Sequence, residues 1–301
     1  MTIAKLSARV NTLLDSDYGS KEETLPGLFL LRESAPTEFE ATIYEPIVCL
    51  ILQGEKETTV GDRVFTVSEG HCIVVSHDLP VMARITKASP RTPYLAIVIR
   101  LDLAVLRSLY DEVGDTTLGS DISCSMEVAP VDDPTVDVIG RYLNLLSHPV
   151  EAQVLLPLVR KELHFRLYMS ESGMTLRSLL RRDSHASHIS RAISMLRANF
   201  RQSLAVVDLA KAVGMSTSAF HKHFKMVTMT TPLQYQKDLR LTEARRLLRS
   251  GQSTVSAAAF EVGYESPSQF SREYTRRFGA TPSSEIQPSL VEHTSGDAWL
   301  A

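Results

Sequence analysis

Two stretches of the chain, 203–232 (SLAVVDLAKAVGMSTSAFHKHFKMVTMTTP) and 253–282 (STVSAAAFEVGYESPSQFSREYTRRFGATP), repeat one another. Ala210 aligns with Ala259 and Gly214 with Gly263 at an offset of 49. One residue is added in the second turn, so Phe220 falls on Phe270, Phe224 on Tyr274 and Thr231-Pro232 on Thr281-Pro282 at an offset of 50. Two copies are too few for a solenoid, and each reads as two helices around a glycine turn.

Each copy starts with a short apolar helix, Val206 to Val213 or Val255 to Val262, that carries a small residue (Ala210, Ala259) where the next helix must cross closely. Glycine follows, free to adopt the left-handed conformation that lets two helices meet steeply. Ser216 and Ser266 then stand as N-caps, their hydroxyls placed to accept an orphan backbone N–H. The second helix has an apolar stripe (Phe220, Phe224, Val227; Phe270, Tyr274, Phe278) and leaves its other face polar and basic for a partner.

Charge points to the kind of partner. Residues 187–286 hold 14 Lys and Arg against 7 Asp and Glu, a net +7, whereas residues 1–186 carry a net −8. The near-neutral whole chain thus joins a basic module to an acidic one, the footprint expected of a phosphate-binding end. On the exposed face near the start of each second helix, Ser218, His221, Lys222, Ser268, Gln269 and Arg272 are the candidates for base contacts. Arg272 leads them, because a guanidinium donates two parallel bonds to guanine. Lys225, Arg276 and the capped helix starts at Ser216 and Ser266 are the candidates for phosphate contacts. Pro232 to Ser250 should be one helix about 28 Å long, a rod able to hold two recognition helices about one DNA turn (~34 Å) apart.

From about Ile189 to Ile286 the sequence resembles the DNA-binding domain of AraC/XylS-type transcription regulators. The matching residues are Leu209-Ala210, Gly214-Met215-Ser216, Phe220 and Phe224-Lys225, Arg240-Leu241 with Ala244, Gly263-Tyr264, Phe270, Arg272 and Thr281-Pro282. One departure is Met229, which stands where Gly279 stands in the second copy. A non-glycine residue there costs about 1 kcal/mol if it goes left-handed, or the first recognition helix ends differently.

With 301 residues, 44% hydrophobic and 22% charged, the chain fits an ordinary soluble protein of two domains. Neither a signal peptide nor an apolar run of the ~20 residues needed to span a bilayer is read, so no membrane partner and a cytoplasmic location are expected. Residues 1–20 read as a short amphipathic helix. Eight short runs follow (LFLLR, EATIY, IVCLILQ, EKETTV, RVFTV, HCIVVS, VMARIT, YLAIVIR), with Gly61-Asp62 as a tight hairpin turn. Such runs predict a closed antiparallel barrel or a jelly roll with room for one small ligand. The stretch EPIVCLILQGEKETTVGDRVFTVSEGHCIVVSHDLP resembles the cupin-type N-terminal domain of one AraC subgroup. The fold class expected is therefore α+β in two domains: an N-terminal cupin-like β-barrel with flanking helices, and an all-α C-terminal domain with two helix-turn-helix motifs.

No cofactor or metal is expected. Enzymatic cupins present a His-x-His pair to a metal, and here His71 and His77 lie six residues apart, about 20 Å along a strand. Cys49, Cys72 and Cys124 form no C-x-x-C, which argues against a disulfide framework. Cys49, Cys72, His77 and Arg84 are the candidate effector-pocket groups, being polar or reactive side chains in apolar strand-like stretches.

Past Arg100 the pattern is helical: LAVLRSLYDEV, then a short strand near Cys124 to Val128, a helix from Asp133 and another from Glu151 to Ser170. The last two helices would either form a dimer face or cover the barrel. The domains expected are 1–172 for effector binding and dimerisation, 173–186 as a polar linker, 187–286 for DNA binding, and 287–301 as a disordered tail. The function expected is sequence-specific regulation of transcription under a small-molecule effector, without catalytic residues. A DNA binder whose barrel only dimerises is the alternative, and a cupin-type metalloenzyme is the disfavoured one. Partners are double-stranded promoter DNA and the unidentified effector, with a homodimer and RNA polymerase as open additions.

Overall fold

The β-branched runs that begin at Leu28 pair as strands, in two antiparallel sheets. The computed structural model of the chain describes residues 1–16, 19–114, 124–181, 184–251 and 253–286. After helix α1 (Ile3–Ser16) come β1 (Glu23–Leu25), β2 (Leu28–Glu33), β3 (Glu40–Tyr44), β4 (Ile47–Gln53), β5 (Glu55–Val60), β6 (Arg63–Ser68), β7 (His71–Val75), β8 (Leu79–Lys87) and β9 (Tyr94–Arg100). Helix α2 (Leu103–Val113), strand β10 (Met126–Pro130) and helices α3 (Asp133–Asn144), α4 (Pro149–Met169) and α5 (Met174–Leu180) follow. One sheet has the order β1-β2-β9-β4-β7-β10 and the other β3-β8-β5-β6. All eight sequence-predicted strands form, as does the two-residue hairpin: Val60 pairs with Arg63 across Gly61, whose φ is 55°.

Closure of the strands into a barrel does not occur among the described residues. The chain passes back and forth between two open sheets, a jelly-roll-like arrangement, because the larger sheet has apolar side chains on both faces. Leu28, Leu30, Val48, Leu50, Val74, Leu95 and Ile97 share one core with Leu6 and Val10 of α1, Ile139 of α3, and Leu163 and Leu167 of α4. The alternate residues, such as Phe29, Ile47, Ile51, Ile73 and Val98, are equally buried on the other face. A sheet sandwiched in this way reads as a continuous apolar run (IVCLILQ, YLAIVIR) and stays open so that helices can cover it.

A second correction concerns residues 173–186. This stretch was expected to be a polar tether, but α5 buries Leu176, Leu179 and Leu180, with Leu176 and Leu180 in the same core, and the first compact unit runs from Met1 to Ser187. One of its arginines acts locally: Arg177 is only 8% exposed and donates to the Tyr168 and Ser170 carbonyls at the end of α4, where a cation suits the helix dipole. The expected tail, 287–301, lies outside the described residues.

The second unit begins at His188. Helix α6 (His185–Asn199) leads into α7 (Val206–Ala212), α8 (Thr217–Thr228), α9 (Pro232–Arg249), α10 (Val255–Glu261) and α11 (Pro267–Phe278). Four of its helices, α8 to α11, start at a side-chain cap. Ser216, Thr231, Thr254 and Ser266 accept from the N–H groups of Ala219, Gln234, Ala257 and Gln269. Arg240 of α9 donates to the Phe200, Arg201 and Gln202 carbonyls, tying the end of α6 to the rod.

Candidate nucleic-acid interface and inter-sheet recess

Each recognition helix, α8 and α11, is built from an aromatic anchor outwards. Phe220, Phe224, Phe270 and Tyr274 are wholly buried. Phe224 meets Tyr235 of α9 edge-on at 5.5 Å, and Phe270 meets Tyr264 at 5.3 Å. Burying these faces turns Ser218, His221 and Lys222 of α8, and Ser268, Gln269 and Arg272 of α11, to solvent. Lys225 and Arg276 are exposed as well. All the base and phosphate candidates therefore lie on accessible surface or, as with Ser266, at a helix cap.

The two turns differ in one respect. Gly279 ends α11 in the left-handed region (φ 72°), its N–H donating to the Thr275 carbonyl. Met229 takes the same conformation at φ 61°, so the first copy keeps the turn without glycine and carries the strain. Two carboxylates clamp α11 to the rod. Glu273 accepts from the Tyr264 hydroxyl at 2.8 Å and lies 3.3 Å from the Lys237 ammonium. Asp238 of α9 lies 3.2 Å from Arg277. Burial opposes the charge on Glu273, but bonds from Tyr264, Gln269 and Lys237 hold its pKa below the usual glutamate value.

In the first unit a recess of about 230 Å³ opens between the two sheets, lined by Leu31, Thr37, Glu40, Lys56, Ile85 and Tyr94 among others. Lys56 is 4% exposed and its ammonium sits 5.3 Å over the Tyr44 ring. The Tyr94 hydroxyl is buried beside the Cys49 thiol. The four effector candidates are not brought together here. Cys49 is buried next to Lys56 and Tyr94, which line the recess, but does not line it itself. Cys72 belongs to the helix-covered face, in the same core as Val74. Arg84 borders the recess, yet its register opposite Glu57 puts its side chain on the outer face, 3.1 Å from that carboxylate. His77 is buried elsewhere, its ring bonded to Ser76, Ser125 and the Ala186 carbonyl. Burial pushes the Cys49 thiol up despite Lys56, and the Cys72 thiol up to about 11, so neither is a ready thiolate. Among the described residues no cluster of three His, Cys, Asp or Glu side chains could hold a metal.

Sequence reasoning missed Lys56 and Tyr94. Strand periodicity carried a trace of the first, since in EKETTV the residues alternating with Lys56 are Thr58 and Val60, all three buried.

The family model for the AraC-type transcriptional regulator N-terminus matches residues 24–175, half of the chain, and a helix-turn-helix domain model matches 209–286. The chain belongs to the AraC-type transcriptional regulators. Curated relatives include the HTH-type transcriptional activator RhaS of Escherichia fergusonii, 26% identical over 50% of this chain and 54% of that protein. Thermoregulatory protein LcrF of Yersinia pestis is 27% identical over 58% of this chain and 64% of its own length. The chain thus spans about half to two thirds of the length of these AraC-type relatives. Among solved structures, unsaturated fatty acid bound wild-type ToxT from Vibrio cholerae covers 86% of this chain and 93% of its own, with a TM-score of 0.55 at 12% identity, a likeness of fold. No helix among the described residues is long and apolar enough to cross a membrane.

Proposed function

We propose that this AraC-type protein binds specific promoter sequences through α8 and α11 and adjusts transcription when a small molecule occupies the inter-sheet recess. The observation that carries the reading is the pair of polar faces, each set opposite a wholly buried aromatic stripe, in a segment of net charge +7. Ser218, His221, Lys222, Ser268, Gln269 and Arg272 read base edges, while Ser216, Lys225, Ser266 and Arg276 hold phosphates. Helix α9, 18 residues and about 27 Å long, spaces the two readers for successive major grooves.

Residues 187–286 form the DNA-binding domain, and the first unit is the sensor and the place of self-association. The recess supports the sensing role because it offers a buried ammonium and a buried tyrosine hydroxyl beside apolar walls, the mixture that small-molecule sites use. ToxT, which shares the fold, has been solved with a fatty acid bound. The protein acts in the cytoplasm, with promoter DNA, the effector, a second copy and RNA polymerase as its partners. Fluorescence anisotropy of the full chain on DNA selected from a random pool, at 50 to 200 mM salt, tests the core of this reading. Affinity should fall by a factor of about 10³ or more if six or more phosphates are contacted. Binding that is absent, or indifferent to salt, rejects it.

A further inference from the structure

Glu273 sits on the recognition helix α11 next to Arg272, yet its side chain is turned back towards the protein and is 15% exposed. Besides Tyr264 and Lys237, its carboxylate accepts from Nε2 of Gln269, one turn earlier on the same helix, at 3.4 Å. The first copy has no equivalent. The residues aligned with Tyr264, Gln269 and Glu273 are Met215, Ala219 and His223, so neither the carboxylate nor the amide it would hold is present there.

A glutamine amide has two N–H donors and one acceptor oxygen, and a free one turns about several bonds. With one N–H held by a carboxylate, the nitrogen is fixed on the protein side. The oxygen and the second N–H are left to face outwards. That acceptor–donor pair matches the N6 amino group and N7 of adenine in the major groove. Holding the amide beforehand removes the ordering cost that a free side chain meets on binding. The arrangement also disposes of a repulsion. A carboxylate on a DNA-facing helix would push phosphates away, but this one is neutralised by Lys237 and bonded to Tyr264.

We propose that Glu273 is a positioning residue for sequence readout: it presents Gln269 to one adenine and makes α11, not α8, the helix that carries a side chain fixed in advance for that base. The inference rests on the DNA-binding reading of α11. The test uses the full-length chain on its selected site, with every base pair substituted in turn and affinity read by anisotropy. The native chain should prefer A·T at one position by about fivefold to about a hundredfold. Glu273→Gln should reduce that preference to within about twofold while random-sequence duplex is bound as well or more tightly, because a negative charge is gone. The double variant Glu273→Gln with Gln269→Ala should be no less selective there than Gln269→Ala alone. Loss of affinity at all positions together, for specific and random DNA alike, would mark Glu273 as merely structural and overturn the proposal. So would additive effects in the double variant. Tyr264→Phe, which keeps the ring against Phe270, covers the case in which Glu273→Gln unfolds. It should blunt the same position by a smaller factor, and an unchanged profile counts against the proposal. A native chain that selects no sequence at all refutes DNA readout itself, and the role of Glu273 falls with it.

Discussion

Gly214 and Gly263 occupy the same place in the two copies and share a left-handed backbone, φ 74° and 90°, but their surroundings differ. A Cβ on Gly214 would meet nothing within 4 Å, whereas one on Gly263 would come within 2.0 Å of the Arg201 backbone oxygen. Gly214→Ala should therefore cost only the conformational term, about 1–2 kcal/mol, and Gly263→Ala clearly more, measured by urea unfolding of the full chain. Equal losses would contradict the close approach of the second turn to Arg201. His77 gives a pH dependence at the same scale. Burial lowers its pKa to about 4 from 6.5, so in the intervening range the unfolded chain binds more protons than the folded one. The stability this group contributes is complete above pH 6.5 and is lost as pH falls towards 4, about 2 kcal/mol of it between pH 7 and 5. His77→Asn should flatten that part of the stability profile. Single residues were also where sequence said least about the sensor. Periodicity indicates which strand residues are buried but not which of the two buried faces of a sandwiched sheet they occupy, and so Cys72 was grouped with Cys49. Arg84 looked like a pocket group because nothing local to VMARIT reveals that Glu57 lies across from it on the outer face.

At the scale of elements the reading from sequence was much fuller, because the helix-turn-helix copies declare themselves locally: a small residue at the crossing, a glycine turn, a serine cap and a stripe every three or four residues. The strands were legible for the same reason, each alternating or continuous run ending in a turn. What local pattern does not carry is how strands close, hence the barrel that proved to be two sheets, or whether an arginine-bearing stretch such as α5 packs. For the recognition helices the proposed roles separate cleanly. Arg272→Ala should cost about 1–3 kcal/mol on the cognate site and relax preference at one base pair. Lys225→Ala should weaken cognate and random DNA alike and shallow the salt slope by about one. Identical losses for both variants on both DNAs would remove the distinction between base and phosphate contacts.

For the whole molecule, charge and fold divide along the same line, with the acidic first unit holding the recess and the basic second unit the two readers. A ligand in the recess changes transcription only through different affinity for active and inactive states. Lys56→Met, which keeps the stem and drops the ammonium, should thus abolish the response to effector while DNA affinity without effector changes by less than about twofold. A variant that still responds fully would place the effector elsewhere.

Helix α9 has a further consequence, one of arithmetic. Both readers are fastened to the same 18-residue helix, α8 through Phe224 and Tyr235 and α11 through the Glu273–Lys237 and Asp238–Arg277 pairs. Between those fastenings, one inserted residue would advance the second reader by about 1.5 Å and swing it by about 100° relative to the first. The distance between the copies cannot drift by small steps as a loop's length can. It changes only by whole residues, each bringing its rise and its rotation together.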